Sequence, residues 1–175
     1  MSITTDSIEV QVPVHEAYEQ LAQLADYPRF MSSVTQARAL DQDTSHWVMA
    51  LGDGVFETDV RITERTPDEH LAVQSIDGPR FRESMTFQQL TDASTLITAE
   101  LDIDAKALLP RHAPSQEILS RQLRADLGRL KEYVEQLADD GGGPNLIASG
   151  SATIEGAEGS RRGRGAMLEE EEGLF

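Results

Sequence analysis

The sequence predicts an α+β domain in which a seven-stranded antiparallel sheet curls around one long C-terminal helix. Three observations carry that expectation. Ile8, Val10 and Val12 alternate with Ser7, Glu9 and Gln11, the period of a half-buried strand. From Val34 to Asp104 no helical period occurs, only short runs of alternation separated by turn residues. After Pro114 the period changes, and Leu119, Leu123, Leu127, Leu130, Val134 and Leu137 form one helical stripe.

Taken in order, the first strand covers Ile3 to Val12 and stops at Pro13. Val14, Ala17, Tyr18, Leu21 and Leu24 then recur at three and four, and Tyr27-Pro28 breaks that helix before a short second one carrying Phe30 and Met31. Six strands follow. Val34 to Leu40 is the first, closed by a turn at Asp41-Gln42-Asp43, and Trp47, Met49 and Leu51 mark one face of the next. Asp53-Gly54 is a hairpin pair because both residues tolerate positive φ. Phe56, Thr58, Val60 and Ile62 face one way and Glu57, Asp59, Arg61 and Thr63 the other. Leu71, Val73 and Ser75 follow the turn at Thr66-Pro67-Asp68, and Phe81, Glu83, Met85 and Phe87 follow the turn at Asp77-Gly78-Pro79. The last strand carries Ile97, Ala99, Leu101 and Ile103. Pro110 and Pro114 bracket a loop, Ser115 is a suitable N-cap, and Glu117 suits the first turn of the closing helix.

The domain is expected to end near Ala138. Nine of the 13 glycines lie in the last 37 positions. The segment 139–175 is Gly-rich and acidic with few large apolar residues, so it is expected to be a disordered tail beside a folded domain of residues 1–138. Within it, Arg161-Arg162-Gly163-Arg164 followed by Met167-Leu168 and Glu169 to Glu172 could dock a protein partner, although a solubilising extension is the simpler reading.

Composition removes several classes of function. A formal net charge of −16 argues against a phosphate backbone or an anionic membrane surface as partner. The chain has no cysteine, hence no disulfide framework, thiolate nucleophile or Cys-ligated zinc. Met1 to Asp6 lacks the basic and apolar regions of a secretory leader, and no apolar run reaches the roughly 20 residues of a membrane helix, so a cytoplasmic home is expected. The four histidines are scattered without ligand spacing, and Asp41-x-Asp43-x-Ser45 departs from an EF-hand at the glycine and glutamate positions, so no metal is expected. No phosphate loop, dinucleotide fingerprint or nucleophile elbow is present, and no cofactor is expected.

The order β-αα-β6-α resembles the helix-grip fold of the START-like, or SRPBCC, superfamily. Tyr18 to Met31 (YEQLAQLADYPRFM) with Val34 and Arg38 is similar to the entrance helices of its polyketide cyclase/dehydrase and coenzyme Q-binding group. So are His46-Trp47, Glu57-x-Asp59, Ile62-Thr63-Glu64-x-x-Pro67 and Met85-Thr86-Phe87. The resemblance spans roughly residues 3–138. Thr58 and Val73 stand where members often carry tryptophan, Glu83 stands where a small residue is usual, and Gly52-Asp53-Gly54 is looser than the family's turn.

The resemblance implies a ligand cavity between sheet and helix. Its candidate lining is Trp47, Met49, Phe56, Thr58, Val60, Val73, Met85, Phe87, Ile97, Leu101, Leu123 and Leu127, residues that equally suit a packed core. Glu83 shares a face with Phe81, Met85 and Phe87. It either enters the apolar interior or sits in water at the strand end, and the reading favours the strand end. If it points inward, Arg38 is the expected partner, and the pair could orient a polar head group or move protons. The expected function is binding or transport of a small hydrophobic or aromatic molecule, polyketide, quinone or lipid-like. The alternatives are a polyketide aromatase/cyclase or dehydratase, for which only Glu83, Arg38, Thr58 and Ser75 could serve, and a non-catalytic protein recruited through its tail.

Overall fold

The computed structural model describes residues 2–51, 54–109, 111–112 and 114–140. The strands are β1 (Ser2–Val10), β2 (Val34–Ala39), β3 (Thr44–Leu51), β4 (Gly54–Thr66), β5 (His70–Ser75), β6 (Phe81–Thr91) and β7 (Ser94–Ile103). The helices are α1 (Val14–Leu21), α2 (Ala105–Leu108) and α3 (Ser115–Asp139). All seven strands form one antiparallel sheet in the order β1-β7-β6-β5-β4-β3-β2, a meander whose first strand returns to the edge beside the last. This is the predicted helix-grip arrangement, an α+β fold with a curved sheet and a long C-terminal helix.

Local chemistry places the turns. Asp41 Oδ1 accepts the Asp43 N–H at 2.9 Å, tightening the β2–β3 turn. Gly78 opens the β5–β6 turn with φ of 73°, a left-handed value that glycine adopts without a Cβ penalty. Leu51 pairs with Gly54, so the β3–β4 hairpin closes where Asp53-Gly54 predicted it, and Asp53 itself lies outside the described residues.

Several local expectations are corrected. β1 ends at Val10, and Val12 is buried beyond it, where its carbonyl accepts the Thr95 hydroxyl at 2.9 Å. The second small helix is a 3-10 turn over Leu24–Arg29 that includes Pro28, a tighter winding that tolerates the missing N–H. Between β7 and Pro110, in a stretch to which the sequence pattern assigns no element, lies α2, whose start is capped by the Asp104 side chain accepting the Ala107 N–H. α3 begins at Ser115, one residue earlier than a Ser115 cap would give.

Residues 1–135 form one unit. In it α3 lies along β1: Gln116 donates to the Ile3 carbonyl at 2.8 Å, Thr4 Oγ1 and Ser120 Oγ lie 2.9 Å apart, and Glu135 accepts the Gln11 N–H at 2.8 Å. From the first contact to the last, the strand advances eight residues and the helix nineteen, each a run of roughly 27 Å, so the two stay in step. Leu119, Leu123, Leu127, Leu130 and Val134 are buried on one stripe of α3, as are Trp47, Met49, Val60, Val73, Met85 and Ile97 on the sheet. Beyond residue 135 the described part is the last turn of α3 and Asp140, whose N–H donates to the Gln136 carbonyl. The predicted tail and its docking peptide lie, from residue 141 onward, outside the described residues. Among the described residues no helix is long and apolar enough to cross a membrane.

Candidate functional site

Strand β6 sets the site. Phe81, Glu83, Met85 and Phe87 are buried in alternation, and register places Glu83 between Val73 of β5 and Leu101 of β7. The same row continues to Ile62 on β4 and Thr4 on β1. Glu83 is 6% exposed, and no hydrogen bond reaches its carboxyl from the described residues. Burial pushes the carboxyl up to about 8, and the charge of Asp126 adds to the effect.

The expected solvated position of Glu83 is therefore overturned. The start of β6 is pinned and does not fray: the Phe81 N–H donates to Ser75 Oγ at 3.1 Å, and the Asp104 N–H donates to the Arg80 carbonyl at 3.0 Å. The suggested pairing with Arg38 fails as well. β2 is the far edge strand, with β3, β4 and β5 between it and β6. A register shift between Val34 and Gln36 turns the rest of β2 over, leaving Arg38 exposed although it counts in phase with Val34.

The charged neighbour comes instead from α3. Asp126 is 6% exposed and accepts from the Ser32 N–H at 3.2 Å, the Ser32 hydroxyl at 3.3 Å and Gln122 Nε2 at 3.1 Å. It also pairs with the Arg129 guanidinium, whose Nε donates to the Phe30 carbonyl at 3.1 Å. Burial still outweighs these partners and holds the Asp126 carboxyl above its ordinary range. The network ties the turn before β2 to the middle of α3. Asp126→Asn keeps an acceptor for Ser32 and removes a charge, so the midpoint at which Glu83 ionises should fall toward the ordinary glutamate range. The pH dependence of stability of the two proteins measures it, and an unmoved midpoint would show that the two carboxyls do not sense each other.

Phe81, two residues before Glu83 on the same face of β6, belongs to an aromatic group. Trp47 is fully buried on β3, with the Tyr27 ring centred 5.1 Å and the Phe81 ring 5.9 Å from its own. Its Nε1 is buried without an acceptor among the described residues. Tyr27 donates its hydroxyl to the Leu21 carbonyl at 2.8 Å, and burial together with the Glu83 charge pushes that phenol well above its usual range.

Of the predicted lining, Met49, Thr58, Val60, Val73, Met85, Phe87, Ile97, Leu101, Leu123 and Leu127 are buried with Trp47, whereas Phe56 is half-buried near the hairpin end of β4. Thr58 Oγ1 donates to the Asp77 carbonyl at 2.9 Å and Ser75 Oγ to the Pro79 carbonyl at 3.1 Å, so both hydroxyls hold the β5–β6 turn. Three histidines pair with carboxylates: His15 with Asp68, His70 with Glu64, and His46 with both Glu57 and Asp59. The bonds to Glu57 and Asp59 raise the His46 pKa. Among the described residues no three His, Asp or Glu side chains are grouped to hold a metal.

Residues 10–127 match the model of the family described as polyketide cyclase / dehydrase and lipid transport. The chain belongs to this family. A member-like relative is the uncharacterized 17.2 kDa protein of Streptomyces lincolnensis encoded in the melC2-rnhH intergenic region, 33% identical over 144 residues, 82% of this chain and 96% of that one. The Zhui aromatase/cyclase of a Streptomyces species superposes with a TM-score of 0.67 at 15% identity, covering 81% of this chain and 98% of the other. A START superfamily protein from Mycobacterium smegmatis gives 0.66 at 15% identity, covering 78% and 99%. At such identities the two structures establish the START-like fold of this polyketide cyclase/dehydrase family member and leave its ligand to be argued from its own residues.

Proposed function

We propose that the protein binds a small hydrophobic or aromatic molecule, polyketide, quinone or lipid-like, between the inner face of its sheet and α3, with Glu83 orienting the ligand's polar end. One observation carries this reading: a carboxyl group 6% exposed, without a hydrogen-bond partner among the described residues, set among Val73, Leu101, Phe81 and Met85. An unpaired buried carboxyl destabilises a fold and has no evident use in packing, whereas a ligand that bonds to it would offset the loss. The family description, which includes lipid transport, supports the same reading.

A second reading is an aromatase/cyclase or dehydratase. In its favour, a carboxyl pushed up to about 8 can give and take a proton near neutral pH. Against it, Arg38 is exposed and Thr58 and Ser75 are engaged in the β5–β6 turn, so none of the three groups named with Glu83 from the sequence is free to work with it. Binding is therefore placed first.

Native mass spectrometry of the gently purified protein should show a co-purifying mass of a few hundred daltons, released by organic extraction and absent from Glu83→Leu. Bare chain in every preparation, coupled with no uptake of added aromatic or lipid-like compounds, would defeat the binding reading.

A further inference from the structure

A single node of polar bonds holds one corner of the fold to α3. The corner is Phe30-Met31-Ser32, between the 3-10 turn over Leu24–Arg29 and β2. Ser32 gives Asp126 both its N–H and its hydroxyl, Gln122 donates to the Ser32 hydroxyl oxygen, and Arg129 donates to the Phe30 carbonyl. Asp126 and Arg129 are themselves paired, so these bonds form one network and support one another.

The two flanks of α3 differ. Towards β1 its bonds are spread from Gln116 to Glu135, and β1 is paired with β7 over its whole length. Towards the corner they span only Gln122 to Arg129, and what they hold leads into β2, an edge strand paired with β3 alone. A segment tied at one node and joined to an edge strand opens at lower free energy than a strand inside a sheet. Both ends of the corner are fixed: Tyr27 is fully buried with its hydroxyl on the Leu21 carbonyl, and the Ser33 carbonyl accepts the Ala50 N–H at 2.8 Å. Between those points Phe30 and Met31, 5% and 3% exposed, are the large apolar side chains that a swing outward would uncover.

The corner also stands at the outer end of a file of rings. Half-buried Tyr133 is centred 5.8 Å from Phe30, Phe30 4.8 Å from Tyr27, Tyr27 5.1 Å from Trp47, and Trp47 5.9 Å from Phe81, two residues before Glu83 on the same face of β6. The Asp126 charge is felt at Glu83, which sets the node beside the same interior. On the reading that the interior binds a ligand, we infer that Phe30-Met31-Ser32 is the lid over its way in, with the Asp126–Arg129 pair as the latch. The ligand enters and leaves between the corner and α3 when the node lets go, while the sheet and the β1 flank stay closed.

Because the chain has no cysteine, the opening can be measured by a thiol placed in it. Met31→Cys puts one on the covered side of the lid, and Ala17→Cys puts one in α1, where the parent side chain is fully buried. In the full chain, iodoacetamide should label Met31→Cys roughly ten-fold faster than Ala17→Cys, since labelling tracks the population of the open form. Adding Arg129→Met, which keeps the stem and loses both bonds, should speed the first by about five-fold, the effect of one hydrogen bond, and leave the second unchanged. The neutral fluorescent probe N-phenyl-1-naphthylamine then reads passage. In Ser32→Ala and Arg129→Met its association and dissociation rates should rise together by about five-fold, with Kd held within about two-fold, because the latch is closed in both the free and the bound protein. Gln116→Ala, which loses a bond on the β1 flank, should leave both rates alone. Equal labelling of the two thiols, or probe rates untouched by Ser32→Ala and Arg129→Met, overturns the lid while leaving ligand binding intact. Failure of the probe to bind the parent protein removes the lid along with the binding reading.

Discussion

Above about pH 8, Glu83→Gln should be more stable than the parent protein, by on the order of 4 kcal/mol, while near pH 5 the two should agree within about 1 kcal/mol. Folding takes the Glu83 carboxyl from its ordinary value of 4.5 up to about 8, so between those values the folded chain keeps a proton that the unfolded chain has lost. Each rise in pH through that window therefore favours the unfolded state, and above it the full penalty of an ionised, unpaired carboxylate is present. Glutamine has the same shape and no charge to bury, so the variant's profile should stay level where the parent's descends. Urea unfolding at pH 5, 7 and 9 measures both curves. Parallel curves would mean that the Glu83 carboxylate is hydrated or paired in the folded protein. The same titration bears on function, because a ligand whose polar end Glu83 orients must change affinity as the proton leaves.

The orientation of Glu83 shows what could and could not be read from the chain. Its phase with Phe81, Met85 and Phe87 put it on the apolar face of β6. Whether that end of the strand lay in water depended on Ser75 and Asp104, which pin Phe81 and Arg80 from other parts of the chain. Arg38 failed for a different reason: alternation counts residues, and the bulge between Val34 and Gln36 inserts one, reversing the faces that follow. Asp126 was missed although a signal existed. It stands three residues after Leu123 and four before Leu130, on the stripe that the apolar periodicity marks as buried, and a carboxylate there required partners. Gln122 and Arg129 are local, but Ser32 lies 94 positions from Asp126 and Phe30 lies 99 from the Arg129 that links the two, beyond any local pattern. The strands and α3 were legible because each answers to a period within its own segment. The site was legible only where it borrowed that period.

Trp47 lends itself to a pair of substitutions that separate packing from recognition. Trp47→Ala should cost about 4 kcal/mol and lower Tm by roughly 10–20 °C, since it removes a fully buried indole from contact with Tyr27 and Phe81 and leaves a void that the strands on either side cannot close. Trp47→Phe keeps a ring against both neighbours and removes an N–H that has no acceptor. The lost volume destabilises and the removed orphan donor stabilises, each on the order of 1–2 kcal/mol, so the net change should be small. Urea unfolding followed by circular dichroism reads both, since the chain has a single tryptophan and loses its own fluorescent reporter in each variant. A residue kept only for packing would show the first effect and no consequence of the second beyond stability. If the indole N–H meets a ligand, Trp47→Phe should fold as well as the parent and gain less thermal stabilisation from an aromatic or lipid-like compound that binds the parent, because binding stabilises in proportion to the affinity that remains. Equal stabilisation of parent and Trp47→Phe by that compound would remove Trp47 from recognition and leave Glu83 as the group that orients the ligand.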